Sequence, residues 1–187
     1  MILGITGRVG VGKSTAVKII KDQYKESIIF DLDLIGHELL NENHIKKELS
    51  KEFGDKIFDS NGVIKRQALG NIVFNNKKKL SNLNKIIHPK IKSTVLNQLN
   101  DNNLFSNLII IVGALIEEIG LKSTCTKIIV IDADDKKIIE KIGEKYVKIS
   151  KHQRSKEEYC QNSDKVILNN FDDKFNIDIL KYIKDYQ

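Results

Sequence analysis

The residues best equipped for chemistry lie near the start of the chain. Gly7 to Ser14, GRVGVGKS, follow the pattern glycine, four residues, Gly-Lys-Ser. Ahead of them is an apolar run with Ile2, Leu3 and Ile5, and behind them Ala16, Val17, Ile19 and Ile20 fall at helical spacing. A loop of this composition between a strand and a helix is a phosphate-binding loop. Its glycines let the backbone fold tightly with N–H groups turned inward, and the positive end of the following helix points into the same hollow. Gly10, Val11, Gly12, Lys13, Ser14 and Thr15 therefore line a hollow that fits a polyphosphate. Lys13 would reach the outer phosphates and the Ser14 hydroxyl would bind Mg²⁺. No third glycine follows Gly10 and Gly12 at the dinucleotide spacing, which argues against a nicotinamide enzyme. The second candidate is the carboxylate pair Asp31 and Asp33, just after the apolar run Ile28, Ile29 and Phe30. Residues two apart on an extended chain point the same way, so one or both could face the phosphates. Two roles stay open for Asp33: accepting the proton of an acceptor hydroxyl, or capping the helix that follows.

Positioning these groups requires a sheet. Further apolar, β-branched runs at 108–112, 127–131 and 166–168, with helical material between them, make five short strands of a parallel α/β sheet. In such a sheet the strand ends that carry Gly7 and Asp31 share the ligand edge. Between the second and third strands the chain is mainly helical. Residues 41–53 read as a helix ended by Gly54, Asn61-Gly62 as a turn, and 66–74 as an amphipathic helix headed by Arg66. A further helix with Leu80, Leu83, Ile86 and Ile87 is expected to stop at His88, because the residue before Pro89 avoids helical geometry; Pro89 would then begin the next helix. His88 reads as a junction residue. This span exceeds what a crossover needs and predicts a helical lobe over roughly 42–104. Residues 134–162 read as a helix from Lys136 to about Lys145 and then the cation-rich KISKHQRSKEE, either a lid over the phosphates or a solvated charged surface.

Composition narrows the partners. The 187 residues suit one α/β domain with an inserted lobe. The 31 Lys+Arg exceed the 25 Asp+Glu, giving a formal net charge of +6, which favours polyanionic ligands. Aromatic residues make up 6% and do not alternate with cations, so a nucleic-acid surface is not expected. Cys125 and Cys160 form no CxxC and suit a reducing compartment. The longest apolar run, 108–116, is too short for a membrane span. A cytoplasmic monomer acting on a small molecule, without membrane or nucleic acid, is the expectation.

Taken together the motifs resemble the dephospho-CoA kinases, which transfer the γ-phosphate of ATP to the 3′-hydroxyl of dephospho-CoA, and the resemblance covers most of the chain. It rests on GITGRVGVGKST, FDLDLIGHEL, VIKRQALGNIVF, LNKIIHPKI, IIIVGALIEEIGL and SDKVILNN, in that order. It implies a P-loop kinase fold, with a five-stranded parallel sheet flanked by helices, a helical substrate-binding lobe and a short lid at about 140–160. Carried over, it places Asp33 beside the acceptor 3′-hydroxyl, makes Arg66 an acceptor-binding residue, puts Asn169 on the adenine-side turn and matches Glu117 to a glutamate after the third strand. The sequence departs from the family at three places. Gly113 replaces a proline, Arg8 stands where a second loop glycine is common, and Lys145-Tyr146 and Cys160 occupy places where the family carries an Arg-Asp pair and an arginine. Lys145, Lys148 and Arg154 are the remaining lid candidates. Two other readings stay open: another small-molecule or nucleoside monophosphate kinase, and an ATP-binding protein without turnover. A GTPase switch, suggested by Asp33-Leu34-Ile35-Gly36, lacks any NKxD motif.

Overall fold

The run Ile2–Thr6 forms β1, and its apolar side chains place it at the centre of a sheet rather than at an edge: Leu3 and Ile5 are fully buried. The computed structural model describes residues 1–101 and 106–186, with the side chains of Glu144, Lys145 and Lys148 outside the description. The other strands are β2 (Ile28–Asp31), β3 (Ile109–Val112), β4 (Lys127–Asp132) and β5 (Lys165–Leu168). All pairings are parallel and the order is β2-β3-β1-β4-β5. The five expected strands are therefore present within a residue or two. The helices are α1 (Lys13–Gln23), α2 (Leu32–Leu39), α3 (Asn43–Phe53), α4 (Arg66–Val73), α5 (Lys77–Leu99), α6 (Asp135–Ile142), α7 (Glu144–Ser150), α8 (Lys156–Gln161) and α9 (Asp173–Asp185). No helix among the described residues is long and apolar enough to cross a membrane.

The chain divides into two compact units, Met1–Asp31 with Asn103–Gln187, and Leu32–Asn102. In the first, β1 lies between β3 and β4, where the connections leave in opposite directions and a parallel sheet opens its ligand crevice. Register sets Ile5 beside Val112 and Thr6 beside Val130, so the loops after β1, β3 and β4 leave from one edge. Ala16 and Ile20 of α1 share a core with Phe175, Ile179 and Ile183 of α9 and the inward residues of the strands.

The second unit holds α2 to α5, with Ile35, Leu39, Ile45, Leu49, Phe53, Leu69, Val73, Ile87, Ile91 and Val95 buried. It begins at Leu32, ahead of the lobe expected from about 42, because α2 packs on α5. Gly36 permits that approach: a Cβ there would lie 3.3 Å from Ile91 Cδ1. The expected helix break at His88-Pro89 does not occur. Residues Lys77–Leu99 are one helix of 23 residues with Pro89 inside it. An interior proline ordinarily costs about 3 kcal/mol. Here Ile87, Ile91 and Val95 bracket it on the buried face of α5, and their burial requires the helix to run through. His88 is thus a helix-interior residue. Asp33 also differs from expectation, being the second residue of α2 rather than a residue of extended chain or the position preceding the helix. There a carboxylate faces the positive end of the helix dipole. The helix expected to reach Lys145 stops earlier, since Gly143 takes φ 57° and ψ −144° and separates α6 from α7.

Candidate active site

Glycine chemistry builds the loop between β1 and α1. Gly7, Gly10 and Gly12 adopt φ of 140°, 80° and 103°, where L side chains are rarely found. Space is as restrictive as angle at two of them: a Cβ on Gly7 would strike the Ile131 carbonyl oxygen, and one on Gly12 would strike Asn169 Nδ2. The loop is thereby pressed against the ends of β4 and β5. Gly12 precedes α1 without a side-chain cap, and no acidic residue occupies the first turn. The helix therefore presents uncapped N–H groups and no repelling carboxylate to an anion. Ser14 and Thr15 in that turn are exposed. Lys13 folds back, its Nζ donating at 2.8 Å to the carbonyl oxygens of both Gly7 and Arg8.

Asn169, 2% exposed, locks the loop from behind. Its Nδ2 donates to Val11 O at 2.9 Å and its Oδ1 accepts from Phe171 N at 2.7 Å. The side chain is committed to the backbone of the loop and of its own turn. The cation-rich segment after β4 is equally committed. Arg154 Nη1 lies 2.6 Å from Glu117 Oε2, and its Nε lies 2.8 Å from Glu118 Oε1. The Arg154 hydrogen bond outweighs partial burial and draws Glu117 below the ordinary carboxylate range, whereas burial dominates at Glu118 and pushes it up. Lys156 Nζ lies 2.6 Å from Asp132 Oδ2.

A glycine-rich loop at the strand reversal of a parallel sheet, followed by an uncapped helix N-terminus, can hold the phosphates of a nucleotide. The family model described as dephospho-CoA kinase matches residues 1–174. The chain belongs to the dephospho-CoA kinase family. It is 38% identical over 177 residues to the dephospho-CoA kinase of Fusobacterium nucleatum, spanning 91% of this chain and 90% of that protein. With the dephospho-CoA kinase of Borrelia garinii it shares 41% over 133 residues, 71% of this chain and 62% of that protein. Among solved structures, the dephospho-CoA kinase from Campylobacter jejuni superposes with a TM-score of 0.71 at 25% identity, over 99% of this chain and 96% of that one. A shikimate kinase from Bacteroides thetaiotaomicron, with a TM-score of 0.54 at 12% identity over 100% and 97% of the two chains, shares the fold.

Of the residues singled out in this dephospho-CoA kinase family member, Gly10 to Thr15 and Asn169 come together in the first unit. Asp33 and Arg66 lie in the second, Arg66 exposed as the first residue of α4. Arg154 is held by two carboxylates, while the side chains of Lys145 and Lys148 lie outside the described residues. Sequence reasoning missed Asp132, Asp135, Tyr146 and Gln153 as partners of loop residues 8 and 9, and Lys156 as a partner of Asp132. The available signal was Asp132, a charged residue directly after the apolar run Ile128 to Ile131, together with Arg8, one of only three arginines and within the loop itself.

Proposed function

We propose that this chain transfers the γ-phosphate of ATP to the 3′-hydroxyl of dephospho-CoA, giving CoA and ADP. The observation that carries the reading is the loop itself: left-handed glycines, an uncapped α1 and Lys13 within one hollow, in a member of this family. Backbone N–H groups from Gly10 to Thr15 would bind the phosphates, and Lys13 would exchange its two loop carbonyls for the outer phosphate oxygens, where charge develops in transfer. Asn169 supports ATP binding by holding the loop at Val11. The exposed Ser14 hydroxyl, an oxygen donor at the loop's end, fits a hard cation that draws its other ligands from the nucleotide and water, as Mg²⁺ does. When bound, Mg²⁺ supplies charge neutralisation on the phosphate oxygens.

For the acceptor, we assign Asp33 to orient the 3′-hydroxyl and take its proton, supported by the match of FDLDLIGHEL and by its place in the first turn of α2. Arg66 would hold the acceptor through the lobe, Leu32–Asn102. Lid cations are Lys145, Lys148 and Arg154, the last after release from Glu117 and Glu118. A monomer in the cytosol, with Cys125 and Cys160 as free thiols, completes the proposal.

A coupled ADP-release assay with Mg-ATP and dephospho-CoA tests it, with the product identified as CoA by mass and with adenosine and AMP as control acceptors. CoA formation that Lys13→Ala abolishes is the expected result. Preference for another acceptor would assign a different small-molecule kinase, and tight ATP binding without any turnover would make the chain a binding protein.

A further inference from the structure

Arg8 stands inside the phosphate-binding loop, yet its side chain leaves the loop and is 9% exposed. Its guanidinium meets two elements that carry the segment after β4 and ends on the last residue of β4 itself. Nη2 lies 2.9 Å from Asp132 Oδ1 and donates at 3.3 Å to Ala133 O. Nη1 lies 2.8 Å from Asp135 Oδ1, in the first turn of α6, and donates at 2.7 Å to the Tyr146 hydroxyl on α7. The other oxygen of Asp132 holds Lys156 at the start of α8. A second tie runs alongside: Gln153 Oε1 accepts from Val9 N at 2.8 Å. Residues 8 and 9 of the loop thus hold α6, α7, the turn after α7 and, through Asp132, α8.

The charges balance, with Arg8 and Lys156 facing Asp132 and Asp135. Burial works against the Arg8 charge, but the hydrogen bonds to Asp132 and Asp135 outweigh it, and Arg8 stays a cation. A buried ion pair of this kind contributes little net stability, because the desolvation of its charges offsets their attraction. What it does supply is direction, since a planar guanidinium fork that meets Asp132, Asp135 and Tyr146 together has one orientation. Lys13 adds the link to ligand. Its Nζ is bound to the carbonyls of Gly7 and Arg8, so a phosphate that draws Lys13 away alters the restraints on the residue whose side chain holds α6 and α7.

We propose that Arg8 is a positioning residue for phosphoryl transfer: it couples nucleotide occupancy of the loop to the helices α6, α7 and α8, from within the loop and without touching substrate. This rests on the kinase reading given above. An arginine on the loop thereby ties this segment to the nucleotide-binding hollow.

The test is hydrogen exchange of the amides of 144–161 with and without the non-hydrolysable analogue Mg-AMPPNP, in the wild type and in Arg8→Gly, alongside steady-state kinetics. Nucleotide should protect these amides in the wild type. In Arg8→Gly the analogue should bind within about threefold of wild type while that protection is lost, and kcat should fall about tenfold with the KM for dephospho-CoA unchanged. Arg8→Lys keeps the charge but not the fork, so it should recover less than about half of the lost coupling. If Arg8→Gly does not fold, Tyr146→Phe and Asp135→Asn each remove one contact and should weaken the protection about twofold. Full wild-type protection and kcat in these variants overturn the proposal. So does a loss of analogue affinity of about 30-fold that Arg8→Lys restores, which would make Arg8 a phosphate ligand. A wild type that protects α7 and α8 on binding the analogue but does not phosphorylate dephospho-CoA would instead refute the assigned reaction and leave the coupling standing.

Discussion

The loop Gly7–Ser14 and the segment 134–162 belong to the same unit, and both are expected to act on the same phosphates, but they are built from opposite materials. In the loop the groups proposed to bind are backbone amides, and glycine places them by permitting φ values and close approaches that other residues refuse. In the segment the candidate groups are side-chain charges, and the structure engages them with carboxylates: Arg154 with Glu117 and Glu118, Lys156 with Asp132. A cation counted in a sequence is therefore not a cation available to a phosphate. Spacing reveals where a backbone will bind an anion, while charge composition shows only what a segment has to offer before its neighbours are known.

Substitutions should separate the two regions sharply. The largest effect is expected where neither region can substitute for the lost group: Asp33→Asn should lower kcat by about 10²–10⁴ with ATP binding nearly intact, as for loss of a general base. Unchanged turnover in that variant would remove Asp33 from the reaction. Gly12→Ala should follow, since its Cβ would drive into Asn169 and displace the Asn169–Val11 bond that holds the loop. We expect ATP affinity to fall about 100-fold, measured by calorimetry, with the protein still folded by circular dichroism. In the lid segment, Arg154→Ala should reduce kcat by about tenfold and stability by less than about 1 kcal/mol, because the two ion pairs it breaks are partly exposed and screened. A loss of stability without a loss of kcat would assign Arg154 to tethering alone.

The smallest effect is a pH dependence. Burial opposes ionisation of Asp132, but Lys156 and Arg8 outweigh it and hold its carboxyl below the ordinary range. Its stabilising contribution is complete above the unfolded carboxylate pKa of about 3.9 and is lost as the pH falls through the lower folded value. Thermal unfolding should therefore show a Tm that declines below about pH 4, and the decline should be shallower in Asp132→Asn. An equally steep acid limb in that variant would place the titrating group elsewhere, Glu117 being drawn down in the same direction by Arg154.

Legibility in the sequence differs from element to element. The strands from β1 to β5 were readable because each is a short apolar, β-branched run, and burial of both faces of a parallel sheet demands that composition. Pro89 misled because a local rule about the residue before proline competed with apolar positions on both sides of it, and the packed face of α5 prevailed. Gly143 was the missed signal in the other direction, a left-handed residue that ends α6 three residues before Tyr146. Asp33 was readable as a candidate but not as a helical residue, since its conformation depends on α2 beginning at once after β2.

By itself the sequence determined the α/β class, the strand order of appearance and the phosphate-binding loop, because these follow from local periodicity and from what glycine alone can do. Only the tertiary structure decided that Arg8 turns away from the loop to Asp132, Asp135 and Tyr146, and that Arg154 is held by Glu117 and Glu118. Those partners lie up to 138 positions apart along the chain. Electrostatic pairing depends on distance in space and on exclusion of water, neither of which is written in neighbouring residues.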